Sequence, residues 1–337
     1  MNRRLAIPSI SLAALIAVSG SGSIRAQQPQ PSGGAPLEVL PVRGSISMLA
    51  GAGGNITAQV GTDGVLLVDT GLTLSAPRVL AEIRRLSNGS IRWIINTHVH
   101  PDHVGGNETF AKLPPDNLQP LNIIAHENVL NRLAPPVTGT QTPATPLGLP
   151  RDEYFTPTKD LHFNGEAIVI YHEPKAHTDG DSVVLFRGSD VVSAGDIFTP
   201  GGYPFIDLDN GGSIQGEINA LNHILQLTVP AKTQEGGTYV IPGHGRICDE
   251  ADVVEFRDMV VIVRDRIQDM INRRMTLDQV KAARPTRDYD TEYVSPTSFV
   301  TADRFVEAMY KDLSPKIVPA RPGNAPGNKS PAPAGRK

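Results

Sequence analysis

Apolar positions recur with two different periods along this chain, and the switches between them divide it into elements. Residues 46–49, 56–60 and 65–68 are short runs of aliphatic and β-branched side chains separated by glycine-rich turns such as 51–54, which predicts a β-meander. The period then lengthens. Val79, Leu80, Ile83 and Leu86 fall at helical spacing within 77–86, and the continuous apolar run 91–95 that follows predicts a buried strand. The same order returns downstream, with strands predicted at 167–171, 182–186 and 191–194, a helix at 214–227 and another strand at 239–241. Strand clusters alternating with helices in two similar halves predict two packed sheets with helices outside. The end is helical: 251–275 is one amphipathic stretch, and Thr276 opens a further helix with Asp278 in its first turn.

Both ends of the chain depart from this pattern. Arg3 and Arg4 precede an apolar run over 5–20, and Ile24-Arg25-Ala26 closes it on a small residue, which predicts a cleaved secretory leader over 1–26. That run contains Pro8 and is shorter than the roughly 20 residues a bilayer span requires. The mature chain is therefore expected in the periplasm or outside the cell, with no stable membrane insertion. Residues 27–36 and 314–337 are rich in Pro, Gly and polar side chains and read as tails, leaving a folded unit over 37–313. A net charge of −4 with no basic stripe gives a nucleic acid no electrostatic footing, so the expected partner is a small-molecule substrate. Cys248 is the single cysteine and cannot form an internal disulfide, so the fold must rest on its core and in part on metal.

The candidate chemistry begins where the strand at 91–95 ends. The chain there reads NTHVHPDHVGG, which puts His98, His100, Asp102 and His103 within a few residues of one another. Residues two apart in extended backbone project to the same side, so His98 and His100 can share one ion. Pro101 bends the chain and displaces Asp102 and His103 toward a neighbouring position, where a carboxylate and an imidazole suit a second borderline-soft ion such as zinc. A lone buried histidine is more often a satisfied core residue than a ligand. Here the histidines at 98, 100, 103, 177 and 244 fall into three motifs, whereas His126, His162, His172 and His223 lack such a setting and read as structural or exposed. Two cations about 3.5–4 Å apart deprotonate a shared water near neutral pH, hold the hydroxide as nucleophile and polarise the oxygen of the group it attacks. Asp102 is the catalytic candidate, placed to orient that hydroxide.

The motif resembles the HxHxDH signature of the metallo-β-lactamase superfamily, and further motifs follow in that family's order over about 44–247. PKAHTDGDS supplies His177 in place of the third histidine, VVSAGDIF supplies Asp196 in place of the bridging carboxylate, and VIPGHG supplies His244 in place of the last histidine. GVLLVDTG resembles the family's early strand, whose Asp69 is expected, with Thr97, to fix imidazole orientation. The resemblance implies an α/β fold, an αββα sandwich of two mixed β-sheets flanked by helices, with the metals at one edge between the sheets. It implies one ion on His98, His100 and His177, a second on Asp102, His103 and His244, and Asp196 between them. Two zinc ions are the expected cofactor, with iron or manganese as alternatives.

The same comparison bounds the substrate. Asp196 stands where a major class of β-lactamases has cysteine, and Thr199 where that class has lysine, which argues against that class. The class with a histidine where this chain has His103 stays open. Glyoxalase II enzymes resemble this chain in their ligands, but the basic residues that clamp glutathione are missing from IFTPGGYPFIDLDNGG. That loop, 197–212, follows a ligand directly and is expected to line the pocket, with Phe198, Tyr203, Phe205 and Ile206 as apolar surface and Thr199 as a hydroxyl. The Pro- and Thr-rich segment 135–157 is expected to cover the other side of the cleft. These features fit a small, fairly neutral ester, lactone, thioester or β-lactam. A β-lactamase proper, an iron-dependent redox member and a metal-binding protein without turnover stay open beside that reading. The di-iron pattern has glutamate where this chain has His100, which favours zinc.

Overall fold

The computed structural model describes residues 36–114, 120–134 and 144–314. The predicted leader over 1–26 and nearly all of both tails lie outside the described residues. The chain opens with β1 (Glu38–Arg43), β2 (Ile46–Ala50), β3 (Ile56–Gly61) and β4 (Gly64–Val68). Helix α1 (Ala76–Leu86) leads into β5 (Ile91–Ile95), followed by α2 (Pro101–Val104), α3 (Asn107–Ala111), β6 (Asn122–His126), α4 (Glu127–Leu133) and β7 (Asp152–Tyr154). Next come β8 (Thr158–Phe163), β9 (Glu166–Glu173), β10 (Asp181–Phe186), β11 (Val191–Gly195), α5 (Ile214–Leu227) and β12 (Tyr239–Pro242). The described chain ends in α6 (Glu250–Asn272), α7 (Leu277–Ala283), α8 (Asp290–Tyr293) and α9 (Ala302–Leu313).

The strands form two mixed sheets, β1-β2-β3-β4-β5-β6-β7 and β12-β11-β10-β9-β8. In the first, β1 to β4 pair antiparallel and β4 to β7 parallel; in the second, only β11 and β12 pair parallel. Side-chain alternation explains why both sheets are covered on both faces. Leu66 and Val68 of β4 join the core between the sheets with Ile95, Ile170, Val184 and Ile241, whereas Val65 and Leu67 face outward onto Val79 and Ile83 of α1. On the far side Val183, Val192 and Val240 pack under α5, α6 and α9 through Leu221, Phe256 and Phe305. The layers are therefore helix, sheet, sheet, helix, the expected sandwich.

Four strands had no forecast from the apolar pattern. β8 is polar and lies at an edge of the second sheet, β1 carries Pro41 at an edge of the first, β6 has a short apolar centre, and β7 is three residues long. The segment 135–157, read as a cover for the cleft, includes β7. That strand completes the edge of the first sheet, with Tyr154 buried and its hydroxyl 2.7 Å from Ser182 Oγ. Residues 135–143 lie outside the described residues.

One buried group in the helical layer is at odds with its surroundings. Glu217 of α5 is 0% exposed, and neither carboxyl oxygen has a hydrogen-bond partner. Burial, reinforced by the charges of Asp181 and Asp196, pushes its pKa well above the ordinary range. The folded state thus keeps a proton that the unfolded chain loses near pH ~4.3, so stability falls as pH rises from there toward the folded value. Glu217→Met, which keeps length without polar atoms, is expected to raise stability at neutral pH by about 1–3 kcal/mol and to flatten that fall. Urea unfolding at pH 5 and pH 8 measures both effects, and a lowered midpoint in the variant would refute the account.

Candidate metal centre

The site is assembled from the ends of strands. Asp69 follows β4, Asn96 to His100 follow β5, Asp196 follows β11 and His244 follows β12, so two parallel pairs, one per sheet, deliver their C-terminal ends to a common edge. His177 comes from the turn between β9 and β10, and α2 begins at Pro101 and carries Asp102 and His103. Close approach fixes two glycines. A Cβ at Gly243 would overlap Asp196 Oδ1, and one at Gly54 would overlap the His103 ring.

All seven expected ligands meet, in two groups. His98, His100, His177 and Asp196 form one, and Asp102, His103 and His244 the other. Asp196 spans them with separate oxygens: Oδ1 lies 3.1 Å from His103 Nε2 and 3.4 Å from His244 Nε2, while Oδ2 lies 3.8 Å from His177 Nε2 and 3.9 Å from His98 Nε2. Asp102 Oδ2 sits 3.2 Å from His244 Nε2.

Proton accounting tests whether metal fits here. His103 Nδ1 donates to Asp69 Oδ2 at 2.7 Å, and His98 Nδ1 donates to Thr97 Oγ1 at 3.0 Å, which in turn donates to Asp69 Oδ2 at 2.7 Å. Asp69 and Thr97 thus hold the two rings with Nε2 facing inward, the orientation expected of them. His177 Nδ1 donates to the Phe205 carbonyl and His100 Nε2 to Asp207 Oδ2. Each neutral imidazole has one proton to give, so His177 Nε2 and His100 Nδ1 confront each other at 2.9 Å as two lone pairs. Such a pairing is repulsive without a cation. Likewise His98 Nε2, His103 Nε2, His244 Nε2, Asp196 Oδ1 and both oxygens of Asp102 are buried with no hydrogen-bond partner. Buried polar atoms left this way are costly, and together these donors are the N and O set that divalent metal ions take. The residues fit a dinuclear centre.

The electrostatics divide along the same line. Burial and neighbouring imidazoles, first His103, hold His98 well below its usual pKa, and burial with His100 brings His177 down to about 4. Burial also lowers His103 and His244, but Asp196 and the other carboxylates outweigh it and hold His103 well up and His244 at about 9. The metal-free chain at pH 7 therefore holds His103 and His244 as imidazolium cations and His98 and His177 as neutral imidazoles. Filling the Asp102, His103 and His244 group is expected to release about two protons, whereas His98 and His177 of the other group are already neutral and release none, because ligands must be deprotonated to bind. Calorimetric titration in two buffers of different ionisation enthalpy measures this, and equal release at both steps would contradict it.

Residues 50–244 match the family described as the metallo-beta-lactamase superfamily, an interval that ends on the last of the seven ligands. The chain belongs to the metallo-β-lactamase superfamily. With its His and Asp dinuclear site, it is a metal-dependent hydrolase of that superfamily. A linear primary-alkylsulfatase of Pseudomonas sp. (strain ATCC 19151) is 36% identical over 72 residues, 21% of this chain and 14% of that protein. A stereoselective inverting sec-alkylsulfatase from Pseudomonas sp. superposes with a TM-score of 0.60 at 16% identity, over 88% of this chain and 52% of its own. A metallo-beta-lactamase from Pontibacter korlensis superposes with a TM-score of 0.53 at 16% identity, over 67% of this chain and 99% of its own. The chain spans about half the length of the alkylsulfatase structures it matches. At these identities the superpositions establish the superfamily fold.

The loop 197–212 departs from its forecast as the pocket wall of this superfamily member. Phe198 is fully buried against Phe256, and Tyr203 is stacked between Tyr293 and Phe305, with its hydroxyl donating to Thr286 O and Asp290 Oδ1. Both belong to the helical core, as does Ile206, because the loop folds back under α6 and α9 instead of over the metals. Thr199 is half-buried. Phe205 alone of the four lies against the ligands, its ring centroid 5.8 Å from that of His100 and 5.7 Å from that of His177. Asp207 was not among the expected site residues. Its only sequence signal is the turn it opens, DLDNGG, whose side chain accepts from Asn210 N, a pattern shared by many surface turns.

Proposed function

We propose that this superfamily member is a dinuclear zinc hydrolase that attacks the carbonyl of a small, largely uncharged ester, lactone or thioester. The observation that carries this reading is the divided Asp196 carboxylate: one oxygen faces each imidazole group, so two ions there would share one anion and one water. Ions bound at the two groups supply Lewis acidity, lowering the pKa of a water toward neutrality and polarising the carbonyl oxygen. The chain's own residues supply the rest. Asp102, buried and with both oxygens unpaired, is placed to accept a proton from the attacking water and to fix its direction. Asp69 and Thr97 keep the His103 and His98 rings from turning. Phe205 presents an apolar face beside His100 and His177. The residues of loop 197–212 that lie against the ligands, Phe205 and Asp207, bring no positive charge, which suits a neutral acyl group better than an anionic one. The leader read over 1–26 supports an activity in the periplasm or outside the cell.

A second reading, hydrolysis of a sulfate ester, is favoured by the alkylsulfatase match of 36% identity over 72 residues. A panel separates the two. The zinc-loaded mature chain is assayed on nitrophenyl acetate and butyrate, a γ-lactone, a thioester, a chromogenic cephalosporin and an alkyl sulfate, with His98→Ala as background. Turnover of the esters or lactone above that variant is expected. Turnover of the alkyl sulfate alone would replace the carbonyl reading, cephalosporin turnover alone would make the protein a β-lactamase in practice, and two bound ions without hydrolysis would favour a metal-binding role.

A further inference from the structure

The three-residue segment Phe205 to Asp207 touches two ligands of one ion at once. The Phe205 carbonyl accepts the Nδ1 proton of His177, Asp207 N donates to His177 O at 3.0 Å, and Asp207 Oδ2 accepts from His100 Nε2 at 2.7 Å. Asp207 is itself held on every side. Its Oδ2 also accepts from Asn210 Nδ2 at 2.7 Å, and its Oδ1 from Asn210 N at 3.1 Å. Arg132 Nη1 donates to Asn210 Oδ1 at 2.9 Å, and the same guanidinium clamps Asp179 with Nε at 2.8 Å and Nη2 at 2.6 Å. A strut thus runs from α4 through the loop to a metal ligand.

The two imidazoles do not bind through equivalent atoms. His177 offers Nε2, whereas His100 must offer Nδ1, because its Nε2 faces Asp207. Solution imidazoles favour neither tautomer strongly enough to guarantee this, so a fixed acceptor at Nε2 decides which nitrogen keeps the lone pair.

We propose that Asp207 is a positioning residue of the metal centre: it takes the Nε2 proton of His100, leaving Nδ1 free toward the ion, and Arg132 steadies it through Asn210. The proposal rests on the reading of His98, His100 and His177 as ligands of one ion. Both Asp207 oxygens act as acceptors, so an amide there must turn its NH2 against a donor whichever way it is flipped. Asp207→Asn is therefore expected to mix the His100 tautomers and to weaken zinc binding at that ion's site by about 10- to 100-fold, the usual scale for such partners, with the other site unchanged. Arg132→Met, which removes the strut and leaves the carboxylate, should shift both readouts in the same direction by a smaller factor.

The test is a titration of the metal-free full chain with Zn2+ alone against a competing chelator, together with the imidazole 15N spectrum of the metal-free protein at pH 8, in which His100 is assigned by its loss in His100→Gln. A change confined to packing would leave the His100 nitrogen pattern alone. Wild type showing His100 as the Nε2–H tautomer, with loss of that pattern and of one affinity in Asp207→Asn, supports the proposal. A wild-type chain that binds two ions, with Asp207→Asn unchanged in both readouts, overturns it alone. A wild-type chain that takes up no zinc overturns it together with the reading on which it rests.

Discussion

Asp196→Ala is expected to lower hydrolysis by roughly a hundred- to a thousandfold or more and to leave at most one ion per chain. The size of the effect follows from where its two oxygens point. Oδ1 is the nearest carboxylate atom to His103 Nε2, at 3.1 Å, and Oδ2 lies within 3.9 Å of both His98 Nε2 and His177 Nε2. Removing the side chain of Asp196, the carboxylate that faces both groups among the described residues, would take one anionic donor from each group. It also removes the strongest attraction felt by the His103 and His244 cations in the metal-free chain, so their pKa values should fall. Asp196→Asn keeps the shape without the charge and is expected to lose at least one ion as well. Metal content after gel filtration, read beside the ester assay, checks both. Two ions retained with more than about a tenth of wild-type activity would refute the bridging role; that residue would correspond to a loss of only about 1.4 kcal/mol in transition-state stabilisation.

Stripping both ions from the wild type should produce the largest change in stability. Binding to the folded state alone stabilises by about 4 kcal/mol per ion when the free ion exceeds its Kd a thousandfold, so two such ions give about 8 kcal/mol. At about 2 °C per kcal/mol for a chain of this size, chelation is expected to lower the thermal midpoint by about 15 °C or more. The interval should depend on pH. In the metal-free fold His244 titrates at about 9, raised by Asp196 and Asp102 against the effect of burial. A raised histidine contributes stability that is complete below its unfolded value near ~6.5 and is lost as pH rises through the folded one. Protons therefore partly stand in for metal at pH 6 and cease to do so above pH 9. The difference between loaded and stripped protein should widen from pH 6 to pH 9.5, as scanning calorimetry of both forms would show, and an interval that narrows would contradict the assignment of His244 to the site.

Much of this architecture follows from short-range patterns. The alternation in β4 and β5 and the helical spacing of 79, 80, 83 and 86 reflect backbone periods that each residue samples with its immediate neighbours, so those elements agree with the forecast to within a residue or two. The starts of α6 and α7 agree as closely, because Asp249 and Thr276 close capping boxes there, whereas α6 ends at Asn272, three residues before the forecast end. Edge strands escaped because an edge needs only one apolar face or none. β8 is stabilised by its pairing with β9, which its own sequence TKDLHF does not encode.

The candidate site divides in a similar way. His98, His100, Asp102 and His103 were legible because a strand end and a proline bend place them locally, and the resemblance to the superfamily supplied His177, Asp196 and His244. The composition of the loop 197–212 misled for the opposite reason. Phe198 and Tyr203 are apolar side chains beside a ligand in sequence, but α6, α8 and α9 arrive from later in the chain and bury them. Apolar character is common to a pocket wall and a core, and only the long-range packing separates them.

By itself, then, the chain's sequence determined most of the order of elements and the cluster His98, His100, Asp102 and His103, since each rests on a local period or a spacing of a few residues; the sandwich class and the ligands His177, Asp196 and His244 came through the resemblance to the superfamily. The tertiary structure alone decided that Asp196 divides its oxygens between two groups, that Asp207 takes the proton of His100, and that Phe205 is the aromatic left beside them. Those relations join residues up to 107 positions apart, and their geometry is fixed by how two sheets and the helical layer close on one another.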